Sequence, residues 1–235
     1  MVRRVRDGRF GERPHYKPEE LDDECESVIV GFLRKTHGEA SFPVDTEDLK
    51  NLIERDAQEL DCYADLSAYG ANVEGLTEFR PGKKPIVRIA KALTEDERYE
   101  NRLRTTLTHE YGHVHFHSYL FGMGEGQTAL LQNQQPQRLI SKRDDGFDAP
   151  ESDWMEWQAR YACGALLMPK SFILKIANDF LTEKKHFGPV AETSDKGREL
   201  IALVVSSFKV SHDAARVRLI KLNALGQERG PSLFG

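Results

Sequence analysis

The pentapeptide His109-Glu110-Tyr111-Gly112-His113 constrains this chain more than any other stretch, because its two histidines can act together only on a helix. Residues i and i+4 of an α-helix lie one turn apart, about 6 Å along the axis, so two imidazoles at that spacing converge on one metal ion. Zinc favours neutral imidazole nitrogens in such a set, with a position left open for water in catalytic sites. Glu110 directly follows the first histidine, where a carboxylate can hold that water and take its proton. The expectation is therefore His109 and His113 as metal ligands and Glu110 as catalytic base.

The flanking residues fit a helix. Leu103, Leu107, Tyr111 and Val114 recur at spacings of four, four and three and form one apolar stripe. Thr94-Glu95-Asp96-Glu97 reads as a capping box at its start. At about 100° per residue, His109 and His113 fall opposite the stripe, beside Arg102, Thr105 and Thr106. One face is thus expected to pack inward and the other to line a cleft. His117 continues the series but lies about 12 Å along the axis from His109, too far to share the ion, and is expected beside the ligands or facing solvent. His115 points to a different face.

Around this helix the chain reads as α+β. Residues 19–35 and 45–60 keep a helical rhythm, with His37-Gly38 ending the first. Residues 62–66, 73–80 and 86–90 read as short strands, the last two joined by the turn-rich Pro81-Gly82-Lys83-Lys84-Pro85. They predict a small antiparallel sheet ahead of the histidine helix. Such a sheet either offers an edge to an extended peptide or only covers the helix. Residues 122–148 are rich in Gly, Gln and polar side chains and read as a loop carrying one strand at 138–142.

Composition excludes several classes of function. The 235 residues, 39% of them hydrophobic, suffice for a core, and a formal net charge of −5 argues against bulk affinity for nucleic acid or membrane. Residues 1–17 are locally basic without apolar periodicity, which predicts a disordered leader. No apolar segment follows that would make it a secretory signal, and nothing reaches transmembrane length. Three widely spaced cysteines, Cys25, Cys62 and Cys163, suit reduced thiols in a cytoplasm.

A metal site needs a third protein ligand. The segment from Asp153 to Met168 reads as a helix opened by Ser152 or Asp153 and stopped before Pro169. Glu156 lies in its first turn, where it could face the histidines or, at N3, complete a capping box with Asp153. Cys163 is a softer alternative, though more often a small buried side chain. Spacing alone does not choose among Glu125, Glu151, Asp153 and Glu156.

Asn101-Arg102-Leu103-Arg104-Thr105-Thr106-Leu107-Thr108 running into the histidine motif, with Glu156-Trp157-Gln158-Ala159 running into Leu166-Leu167-Met168-Pro169, resembles the ImmA/IrrE family of zinc metallopeptidases. The resemblance covers residues 44–225 and extends to Val44-Asp45 and Gly75-Leu76-Thr77. It implies a zincin-like core, Zn²⁺ as cofactor and Glu156 as third ligand. It also implies a cytoplasmic endopeptidase that cleaves one specific protein, such as a helix-turn-helix repressor of a mobile element or stress regulon. The stretch between the two motif helices is longer than in many relatives, and the chain is too short for the sensor-like domain that some carry.

The C-terminal part carries a second expectation. Residues 200–208 and 212–222 read as two helices joined by Lys209-Val210-Ser211, with Ser211 as N-cap. Lys209, Arg216, Arg218 and Lys221 give the pair a basic cast that a DNA-binding regulator with a non-catalytic zinc site would use. Ala214, Ala215, Val217, Leu219, Ile220 and Leu222 leave it little polar surface, which favours packing on the core. The chain is thus expected to divide into a leader (1–17), a metallopeptidase domain with N-terminal helices (18–182) and a helical segment packed on it (183–235). Tyr161 and His117 are the residues considered for stabilising an oxyanion.

Overall fold

The computed structural model describes residues 2–7, 11–122, 136–142 and 153–226. The basic leader is not without structure, contrary to expectation: β1 (Arg3–Asp7) and β2 (Gly11–His15) form an antiparallel hairpin, Arg3 opposite His15 and Asp7 opposite Gly11. Backbone pairing needs no apolar period, which is why the composition misled. Arg13 ties the hairpin down, bonding Asp7 at 3.1 Å and stacking 4.2 Å over the Trp154 ring.

Helix α1 (Pro18–His37) starts on a proline, whose missing N–H is an orphan donor there anyway, and stops at Gly38 with φ 84°. Its buried Leu21, Cys25, Ile29 and Leu33 recur every fourth residue and face the core. Helix α2 (Thr46–Asp56) ends short of the expected residue 60 because strand β3 (Glu59–Ala64) begins there. Gln58 N donates to Pro85 O at 2.8 Å, which sets the starts of β3 and β5 (Ile86–Ala90) side by side.

That contact explains a second departure. The four-stranded sheet has the order β3-β5-β4-β6, with β4 at Val73–Phe79 and β6 at Gln137–Lys142. Strand β4 is antiparallel to both neighbours, as anticipated, but β3 pairs with β5 in parallel. The outer edge of β4 is covered by β6, which runs from Val73 opposite Lys142 to Phe79 opposite Gln137.

After a short helix α3 (Lys91–Thr94) and a single turn at Glu97–Tyr99 comes α4 (Glu100–Gly122). Thr94 does not cap α4: its hydroxyl donates to Cys62 O at 2.7 Å, and Asp96 instead caps the turn through Arg98 N. Helix α5 (Trp154–Leu167) packs along α4, and both are buried on most sides. The described residues that follow form α6 (Lys170–Glu183), β7 (Val190–Ala191), α7 (Asp195–Phe208), α8 (His212–Lys221) and β8 (Leu225–Gly226), the two short strands pairing in parallel. Leu200, Val204, Phe208, Ala215 and Leu219 of α7 and α8 belong to the same apolar cluster as α1, α4 and α5. The fold is α+β, and among the described residues no helix is long and apolar enough to cross a membrane.

Candidate metal centre

Helices α4 and α5 meet where Gly112 faces Ala159. A Cβ at Gly112 would stand 3.0 Å from Ala159 Cα and 3.2 Å from its carbonyl, so a larger residue would press the helices apart. This close approach carries the first turn of α5 to the histidines. Glu156 Oε2 lies 3.2 Å from His109 Nε2, and its Oε1 lies 3.2 Å from His113 Nε2. The two Nε2 atoms are 3.1 Å apart. His109, His113 and Glu156 form the group of donors, all within 4.8 Å of one another, that could hold a metal ion.

The competing role for Glu156 is not taken. Asp153 caps α5 by accepting from Met155 N at 3.0 Å, while the Glu156 carboxylate turns to the histidines. Its Oε2 is buried with only the His109 ring nitrogen beside it, in poor hydrogen-bond alignment, a position that a cation between the two groups would complete. Burial alone would raise the Glu156 pKa, but His113 and His109 outweigh it and hold the carboxyl well below the usual range. For His113, burial works against the charged form, yet the adjacent Glu156 carboxylate prevails and raises its pKa. Cys163 is not part of the group: its Sγ receives the Thr108 hydroxyl at 3.2 Å, and burial pushes the thiol up to about 11. Glu125 and Glu151 lie outside the described residues.

Glu110 is more enclosed than expected. It is fully buried under the sheet, with Oε2 accepting from Thr77 Oγ1 on β4 and Oε1 from Ser141 Oγ on β6, both at 2.5 Å. Gly75 makes room for it, since a Cβ there would stand 2.2 Å from Oε1. The histidine face of α4 is thus not an open wall: His113 and His117 are fully buried, and His109 keeps 12% of its side chain exposed. His115 faces outward and contacts Glu24 at 2.9 Å.

His117, considered for an oxyanion, is bonded at both nitrogens: Nδ1 is 3.1 Å from His113 Nδ1 and Nε2 is 3.1 Å from Gln158 Oε1. Burial, then the neighbouring His113, lower its pKa well below the ordinary histidine value. The Tyr161 hydroxyl is committed to Asp22 at 2.9 Å. Ser141, Thr77 and Gln158 were not picked out from the sequence. Their only signals were the strand at 138–142, the Gly75-Leu76-Thr77 resemblance and the place of Gln158 two residues after Glu156.

The basic residues of the last helix are largely occupied. Arg218 is buried, 2.6 Å from Asp22 and donating to Met168 O at 3.0 Å. Arg216 contacts Asp213 at 3.0 Å and Glu192 at 3.4 Å, and Lys221 lies over the Tyr161 ring. No family model matches the chain, and no curated protein matches it.

Proposed function

We propose that the chain is a zinc-dependent endopeptidase with a zincin-like core, in which His109, His113 and Glu156 hold Zn²⁺. The observation that carries this reading is the spacing of the three donors. Ligand atoms about 2.0–2.1 Å from a tetrahedral zinc are roughly 3.3 Å from one another; the two Nε2 atoms are 3.1 Å apart, each has one Glu156 oxygen at 3.2 Å (Oε2 for His109, Oε1 for His113), and the three donors lie within 4.8 Å of one another. Two imidazoles and one carboxylate also suit zinc chemically and leave a fourth position for water.

When bound there, zinc lowers the pKa of a water to about 7 and polarises a carbonyl. Glu110 takes the proton at a carboxylate oxygen and passes it to the leaving amine. Each oxygen accepts one hydroxyl hydrogen in this structure and keeps a second lone pair for the proton. The resemblance to ImmA/IrrE proteins supports a cytoplasmic role and a protein substrate, a helix-turn-helix repressor encoded nearby. The alternative DNA-binding role draws little support from a helix whose Arg218 is buried and whose Arg216 is paired.

Metal analysis of the purified protein tests the reading. One zinc per chain is expected, lost in Glu156→Ala and kept in Glu110→Gln, with cleavage of the neighbouring repressor abolished in both. A wild-type protein that binds no zinc overturns the proposal.

A further inference from the structure

Resting on that metal site, we infer that Gln158 acts through His117 to set the His113 tautomer that presents a bare Nε2 to the ion. The donors and acceptors can be assigned in sequence from the Gln158 end. Its Oε1 can only accept, so the His117 Nε2 at 3.1 Å must carry the hydrogen. A neutral His117 then has a lone pair on Nδ1, and the His113 Nδ1 at 3.1 Å must donate to it. That proton leaves His113 Nε2 bare, and Nε2 is the nitrogen facing His109 and Glu156.

Turning the Gln158 amide over would present an N–H to His117 Nε2, reverse the tautomers of both rings and place a hydrogen on His113 Nε2, where it would exclude the ion. The Gln158 amide orientation therefore decides whether His113 can ligate. The surroundings hold the chain of rings in place: His117 packs edge-on against Trp154, centroids 5.5 Å apart, and both His117 and Gln158 are buried. The arrangement also divides α5 into two functions, with Glu156 supplying a ligand and Gln158 orienting one. Gln158 and His117 are positioning residues, since neither touches the ion.

The test uses the full chain with ¹⁵N-labelled histidine and zinc titration against a competing chelator. In the metal-free wild type, the ring proton of His117 is expected on Nε2, with a hydrogen-bond coupling between the Nδ1 atoms of His117 and His113. Gln158→Leu removes the acceptor and is expected to weaken zinc binding by about 10–100-fold. Gln158→Glu keeps an acceptor and is expected to restore it to the wild-type level. A His117 proton on Nδ1 in the wild type overturns the inference, as does a folded Gln158→Leu that binds zinc within twofold of the wild type. A protein that binds no zinc instead refutes the proposed function, while the His117 tautomer, read without metal, still decides the relay.

Discussion

Gly75→Ala is the substitution whose consequence follows most directly from the packing. The added Cβ would lie 2.2 Å from Glu110 Oε1, 2.8 Å from Glu110 Cδ and 2.9 Å from Thr106 Cγ2. Heavy atoms in contact settle about 3.5 Å apart, so the carboxylate must retreat by roughly 1 Å. It has little space, being fully buried and held by Thr77 and Ser141. Overpacking of this kind costs about 1–3 kcal/mol, and a carboxylate oxygen parted from the Ser141 hydroxyl adds about 1–3 kcal/mol. Replacing glycine returns about 0.4–1 kcal/mol through the unfolded chain. A net loss of about 1–6 kcal/mol should lower Tm by roughly 2–20 °C in a chain of this size. Thermal unfolding with metal chelated gives the number without a contribution from ligand binding. The decisive comparison is the same substitution in a Glu110→Ala background, where the two shortest contacts vanish and the cost should fall by at least about 1 kcal/mol. An equal cost in both backgrounds would refute the packing of Glu110 against β4.

Other outcomes follow from the same contacts. Ser141→Ala should leave zinc stoichiometry unchanged while costing about 1–3 kcal/mol in thermal unfolding, because Glu110 Oε1 stays buried without its donor. Arg218→Met strands Asp22 in the interior and should cost about 3–5 kcal/mol, whereas replacing Arg218 and Asp22 together with apolar residues should cost much less. In metal-free protein the depressed Glu156 adds stability above about pH 4.3 that is lost on acidification, and the raised His113 adds stability below about pH 6.5 that is lost as pH rises through its folded value. The depressed His117 loses stability as pH falls below about 6.5, so Tm under chelator should peak near pH 6.5 and fall on both sides. With zinc present the alkaline fall should disappear, since the ion requires unprotonated imidazole nitrogens.

How much of this could be read from the sequence depends on whether the responsible interactions are local. The i, i+4 spacing of His109 and His113 is set by helix geometry, and the stops at Gly38 and before Pro169 follow from backbone restrictions on single residues. Those features were legible. Glu156 was legible only in part, because spacing left four carboxylates open and the resemblance selected one. The pairing of β1 with β2 is not legible in the sequence because the strands are anchored by Arg13 on Trp154, a contact more than a hundred residues away in the chain.

The sequence by itself determined the helix that carries the histidines and the chemical type of donors available, since a one-turn repeat needs no distant partner. Tertiary structure decided which carboxylate meets them. That choice depends on the close crossing at Gly112 and Ala159, on Asp153 capping α5 so that Glu156 need not, and on β6 covering β4 so that Ser141 reaches Glu110. The Asp153 cap is local, but the other two are contacts between segments distant in the chain, whose geometry arises only when the two surfaces pack.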